Sequence, residues 1–149
     1  VKDDRYRDIY WLLKGTTQSL KQELRKKLEE HGITWPQFHA LYHISPGGIP
    51  ANELARELSC NPSNLTGLID RMIESGWVFR EHSAEDRRVW LIKLTPAGQK
   101  MKDIIIPRHK KNIRERMAVL SDSELGQLEK LLLQLKNGKG EVEKDDERN

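Results

Sequence analysis

The chain has 149 residues, 33% of them charged and 36% hydrophobic, with a mean hydropathy of -0.74. That length suits one domain, or one compact domain with extra helices, and so thin an apolar fraction buries only a small core unless long helices associate. A net charge of +3 and a pI near 9.0 are at most a weak pointer to nucleic acid.

No apolar run approaches the length of a membrane span. The start, Val1-Lys2-Asp3-Asp4, lacks the apolar stretch of a secretion signal. The single cysteine, Cys60, can form no internal disulfide and no cysteine-built zinc module. The expectation is a cytoplasmic protein with no membrane partner.

Residues 4–30 carry Tyr6, Ile9, Leu13, Leu20, Leu24 and Leu28 in one stripe at helical spacing, with Lys21, Glu23, Arg25, Lys26 and Glu29 on the other face. Gly32 stands where a helix C-terminal cap belongs. A helix this long in a small domain is expected to pack outside its own compact unit. Thr34 caps a second helix with Phe38, Leu41 and Ile44 facing inward, and Pro46-Gly47-Gly48 breaks it. A third helix is expected over residues 51–58, with Leu54, Ala55 and Leu58 apolar. Asn61 as cap and Pro62 as first residue open a fourth. Its buried face is expected to hold Leu65, Leu68, Ile69, Met72 and Ile73, and Gly76 ends it.

The period then changes. Residues 77–80 and 89–94 read as two strands around the charged loop 82–88, which makes a β-ribbon. Thr95-Pro96 opens a fifth helix running to about residue 119, with a kink expected at Pro107. Ser121 and Glu124 form a capping box before a last helix whose stripe is Leu125, Leu128, Leu132 and Leu135. The Gly- and charge-rich residues 137–149 are expected to form a disordered tail.

Residues 51–72 fit a helix-turn-helix. Ala55 sits where the second helix crosses closest, Ser59-Cys60-Asn61 is the turn, and Leu65 and Leu68 anchor the second helix. Such a pair presents the N-terminal half of its second helix, here Pro62, Ser63, Asn64, Thr66 and Gly67, toward a DNA major groove. Ser and Asn reach base edges or phosphates, and Asn suits adenine. The ribbon directly downstream makes the unit a winged helix, with Arg87 and Arg88 near the tip and Lys93 further along. Asp86 is placed to pair with a wing arginine and fix the loop. An arginine there gains from the negative potential of a narrow minor groove.

The order of parts resembles the MarR family. The matching stretches are Leu54-Ala55, then residues 64–72 (Asn-Leu-Thr-Gly-Leu-Ile-Asp-Arg-Met), Gly76, Asp86-Arg87-Arg88, and Leu94-Thr95-Pro96-Ala97-Gly98. The resemblance runs from Tyr6 to Leu135. It implies a homodimer built from the first and last two helices, binding a pseudo-palindromic double-stranded operator, usually as a repressor. It implies the wing role for Arg88, the partner role for Asp86, and DNA-facing positions for Ser63, Asn64 and Thr66. Arg71 and Arg87 complete the expected DNA-binding set. The fold class expected is mainly α with a small β-ribbon: a winged helix-turn-helix (33–95) flanked by long dimerisation helices (1–32 and 96–136). Two positions depart from the family pattern: Pro50, where a Ser or Thr cap is usual, and Cys60, in a turn position that is usually apolar. Cys60 reads better as a small half-buried residue than as an oxidant sensor.

Family members often bind phenolic or other small amphipathic effectors. Trp11, His39, Tyr42 and His43, with Trp35, are candidates for lining such a site. His39 and His43 lie four apart, which is also a metal-ligand spacing, and His109 is on the fifth helix. A metal-responsive regulator therefore stays open beside plain aromatic packing, though no metal or cofactor is assigned. No phosphate-binding glycine loop, nucleophile elbow or paired-histidine protease motif is present, so no enzyme is expected. The other open class is a winged helix that binds protein partners instead of DNA.

Overall fold

The computed structural model describes residues 2–138, with side chains from residue 4. The chain divides into two compact units, Val1–Ile113 and Arg114–Asn149.

In the first unit, α1 (Lys2–Glu29) ends in a Schellman turn. Gly32 N donates to Glu29 O and Ile33 N to Leu28 O, with Gly32 at φ +75°. Of the expected stripe, Leu28 is fully buried, Leu20 and Leu24 are half-buried, and Tyr6, Ile9 and Leu13 are exposed. α2 (Trp35–His43) starts at a complete capping box: Gln37 N donates to Thr34 Oγ1, and Thr34 N donates to Gln37 Oε1. Phe38, Leu41 and Ile44 face the core as expected.

A short strand, β1 (Ile49–Pro50), follows, which the sequence reading missed. α3 (Ala51–Glu57) starts directly after Pro50, with no side-chain cap. It ends in a second Schellman turn, with Ser59 N donating to Arg56 O and Cys60 N to Ala55 O. Here Ser59, at φ 50°, takes the left-handed position usually given to glycine. α4 (Pro62–Glu74) opens as expected, with Asn64 N donating to Asn61 Oδ1 at 2.8 Å and Pro62 first. Leu65, Leu68, Ile69 and Met72 are buried, whereas Ile73 is exposed, at the edge of the apolar face.

The strands are β2 (Val78–His82) and β3 (Trp90–Leu94), each starting one residue later than expected. With β1 they form an antiparallel sheet in the order β1-β3-β2. α5 (Pro96–Met117) begins in this unit and runs on as a helix through Pro107. The core gathers Leu28, Ile33, Leu41, Ile44, Leu54, Ile69, Met72, Val78, Ile92 and Ile105, all from this unit.

The second unit holds the end of α5 and α6 (Asp122–Asn137). Its capping box is present: Glu124 N donates to Ser121 Oγ, and Ser121 N donates to Glu124 Oε1. The leucine stripe is half-buried at Leu125 and Leu128 and exposed at Leu132 and Leu135. Asn137, expected to open a tail, is the last residue of α6, and the remainder of that expected tail, from residue 139, lies outside the described residues.

Candidate nucleic-acid interface

The helix-turn-helix is α3, the Ser59–Asn61 turn and α4. Ala55 is buried, as a close crossing requires. Opposite the buried face of α4, Ser63, Asn64, Thr66 and Arg71 are exposed and Gly67 is half-buried. The Thr66 hydroxyl donates to Pro62 O at 2.9 Å, so it offers its oxygen as an acceptor and its methyl as an apolar contact.

The wing tip is closed by Ser83 N donating to Val89 O and by Val89 N donating to Asp86 O. Asp86 clamps its neighbour as expected. Oδ1 accepts from the backbone N and Nε of Arg88, both at 3.1 Å, and Oδ2 accepts from Nη2 at 3.2 Å. The guanidinium and backbone N–H of Arg88 hold the Asp86 carboxyl below the usual carboxylate range. The Arg88 side chain is still 91% exposed, so the clamp sets its direction without covering it. Arg87 is exposed and makes no ion pair among the described residues. On the outer face of the ribbon, Lys93 pairs with Glu81 at 2.8 Å.

Three contacts fix these elements together. Arg80 Nη2 lies 2.7 Å from Asp70 Oδ1 and ties β2 to α4. The Thr95 hydroxyl donates to Gly76 O and accepts from Gly98 N, which joins the end of α4 to the start of α5. Lys102 Nζ donates to Ile44 O at 2.5 Å and caps the C-terminal end of α2. Sequence reasoning gave Thr95 only as the cap that Gly98 N confirms, and missed its bond to Gly76 along with the first and third contacts, although the Asp70–Arg80 pair was open to it once α4 and β2 were adjacent.

A cavity of about 610 Å³ lies between α2 and α4. Its wall includes Trp35, His39, Cys60, Asn64 and Arg71. Of the residues expected at an effector site, Trp35 and His39 line this cavity, and Trp11, Tyr42 and His43 do not. Trp11 and Tyr42 are exposed, and His43 faces Glu57 at 3.8 Å. His39 and His109 both pack edge-on against Trp35. Burial first, then His43, pushes the His39 imidazole below its usual value. Burial first, then His39, does the same to His109, whose Nδ1 has no hydrogen-bond partner among the described residues. Among the described residues, no group of three or more His, Cys, Asp or Glu is arranged to hold a metal.

A family model described as the MarR family matches residues 33–90, from the start of α2 into β3. The HTH-type transcriptional regulator YsmB of Bacillus subtilis, itself uncharacterised, is 31% identical over 131 residues, covering 87% of this chain and 90% of that protein. The HTH-type transcriptional repressor MdtR of Bacillus subtilis is 25% identical over 124 residues, covering 83% and 80%. The crystal structure of a MarR-like transcription regulator from Bacillus cereus superposes with a TM-score of 0.77 at 28% identity, covering 89% of this chain and 96% of that one. The winged helix, the clamped wing arginine and these likenesses agree, and the chain belongs to the MarR family of transcription regulators.

Proposed function

We propose that the chain is a homodimeric, sequence-specific DNA-binding regulator that represses transcription and is released by a small amphipathic effector. One observation carries the DNA reading: an exposed helix face of Ser63, Asn64 and Thr66 stands beside a ribbon whose tip directs a clamped but uncovered Arg88. Asn64 reads a base edge in the major groove, and Arg87 and Arg88 reach phosphates or the minor groove. Arg71, about two turns beyond Asn64 along α4, supports the phosphate contact.

Dimerisation is supported by apolar surface that a lone chain leaves in water. In α1, Tyr6, Ile9, Tyr10, Trp11 and Leu12 are each more than half exposed, as are Leu131 and Leu135 in α6. Such patches mark interaction surfaces. A second copy is the occupant the proposed operator symmetry calls for.

The effector reading is supported by the cavity between α2 and α4, whose size falls within the usual range for small-molecule sites, roughly 300–1,000 Å³. A molecule against Trp35 and His39 would also touch Asn64 and Arg71, so occupancy and DNA reading would compete. No helix among the described residues is long and apolar enough to cross a membrane. The place of action proposed is the cytoplasm, on chromosomal DNA. The deciding experiment is a mobility shift against the duplex upstream of the chain's own gene. A retarded band that outlasts random competitor is expected; no shift at any salt would favour a winged helix that binds protein instead.

A further inference from the structure

We propose that Trp90, braced by His82, is a direct contact to the sugar–phosphate backbone of bound DNA, and this rests on the DNA-binding reading above. His82 and Trp90 are the last cross-strand partners before the wing-tip loop, at the far end of the ribbon from Val78 and Leu94. Their rings stack at 3.7 Å with 28° between planes. Alternation puts them on the same sheet face as the pairs Arg80–Ile92 and Val78–Leu94. That face meets α4: Ile92 and Val78 are buried, and Arg80 bonds Asp70.

Past Arg80 the ribbon outruns its cover, and Trp90 stands 43% exposed on the α4 side. Trp90, Arg80, Asp70 and Thr66 line an open groove of about 440 Å³ between the recognition helix and the wing. The groove is continuous with the polar face of α4 through Thr66 and with the wing through Trp90. A strand that places bases against Asn64 and phosphates at Arg88 has to pass it.

The chemistry of the groove separates it from the arginine contacts. Arg80 is already paired with Asp70, so no unpaired cation is left at its floor. What it offers is an indole face and the Thr66 methyl. These suit the uncharged deoxyribose and ester carbons of the backbone, which pack on aromatic rings irrespective of base. The stack with His82 holds the indole in place before DNA arrives, which lowers the ordering cost of the contact.

The test is a salt series of titrations with a duplex from the chain's own upstream region and a random-sequence duplex. The parent, Trp90→Ala and Trp90→Phe are compared, with thermal melts and tryptophan emission in iodide. Trp90→Ala is expected to weaken both duplexes by the same factor, roughly fivefold to tenfold for an apolar contact of this size. It should do so at every salt concentration, because removing an uncharged contact releases no counterions and leaves the slope unchanged. Trp90→Phe should fall between. DNA should shield from iodide an emission component that the parent has and Trp90→Phe lacks. Should the melt of Trp90→Ala collapse, Trp90→Phe and the iodide shielding decide. Parent-like affinity in Trp90→Ala, with no shielding in the parent, overturns the proposal. A flattened salt slope also overturns it, since Trp90 would then act only by placing the wing arginines. A parent that binds neither duplex fails the DNA reading itself, and that failure is visible before any variant is made.

Discussion

Asp86 and His109 are opposite uses of one titratable side chain each. Asp86 is an exposed carboxylate stabilised in its charged form by Arg88, so the wing clamp holds above its lowered value and is lost only as pH falls through it. Asp86→Asn keeps the shape but removes the charge. It is expected to weaken DNA binding less than loss of Arg88 does, because the guanidinium remains and only its direction loosens. Equal losses in the two variants would show that the clamp is as necessary as the arginine. His109 is buried and kept neutral. An unfolded histidine takes up a proton near pH 6.5, whereas the folded one resists until lower pH. Its contribution to stability is therefore whole above about 6.5 and is lost as pH falls through the folded value. The melting temperature is expected to drop between pH 7 and pH 5, and His109→Phe, which keeps a ring against Trp35 and Phe38, should flatten that drop. An unchanged acid slope in His109→Phe would assign the loss to other groups.

Among the elements, what was legible in the sequence was what acts over three or four residues. Thr34, Asn61 and Ser121 each cap the helix expected of them, because a cap is a bond between near neighbours. The third helix end was less legible, since Ser59 carries a left-handed turn that a glycine would have announced. Strand β1 escaped notice because its two residues exist as a strand only by pairing with Ile92 and Leu91. The Lys102–Ile44 bond joins residues 58 apart, and no local pattern encodes it. The candidate site divides in the same way: the Asp86–Arg88 clamp spans two residues and was read directly, while the His82–Trp90 stack required the ribbon register. Gly98 belongs to both kinds. Its place in the Leu-Thr-Pro-Ala-Gly stretch was visible, but its reason lies in Trp77, whose carbonyl oxygen would be 1.9 Å from an added Cβ. Gly98→Ala is expected to cost about 1–3 kcal/mol, as overpacking does, by forcing α5 away from the start of β2. Urea unfolding should read this as a lower midpoint at constant slope; parent-like stability would mean that α5 shifts freely there.

At the scale of the whole molecule, the thin apolar fraction and the uncovered helix faces point the same way. A chain that exposes Tyr6, Ile9, Tyr10, Trp11 and Leu12 on one helix is expected to sediment as a dimer at micromolar concentration. A monomer under those conditions would remove the basis for a two-fold operator. With a dimer, two wings and two recognition helices engage one duplex, and their contributions separate by charge. The most direct test of the account is therefore a titration of the parent, Arg88→Ala and Asn64→Ala against operator and random DNA over a range of salt. Arg88→Ala should weaken binding to all sequences and flatten the slope of log K against log salt, by about 0.9 for each phosphate that is no longer neutralised. Asn64→Ala should cost about 1–3 kcal/mol at one base pair and relax preference there, leaving the salt slope as it was. Both should melt with the parent, since both side chains are exposed. Operator binding by Arg88→Ala equal to the parent's, or an equal loss on operator and random DNA in Asn64→Ala, would contradict the division between a wing that holds and a helix that reads.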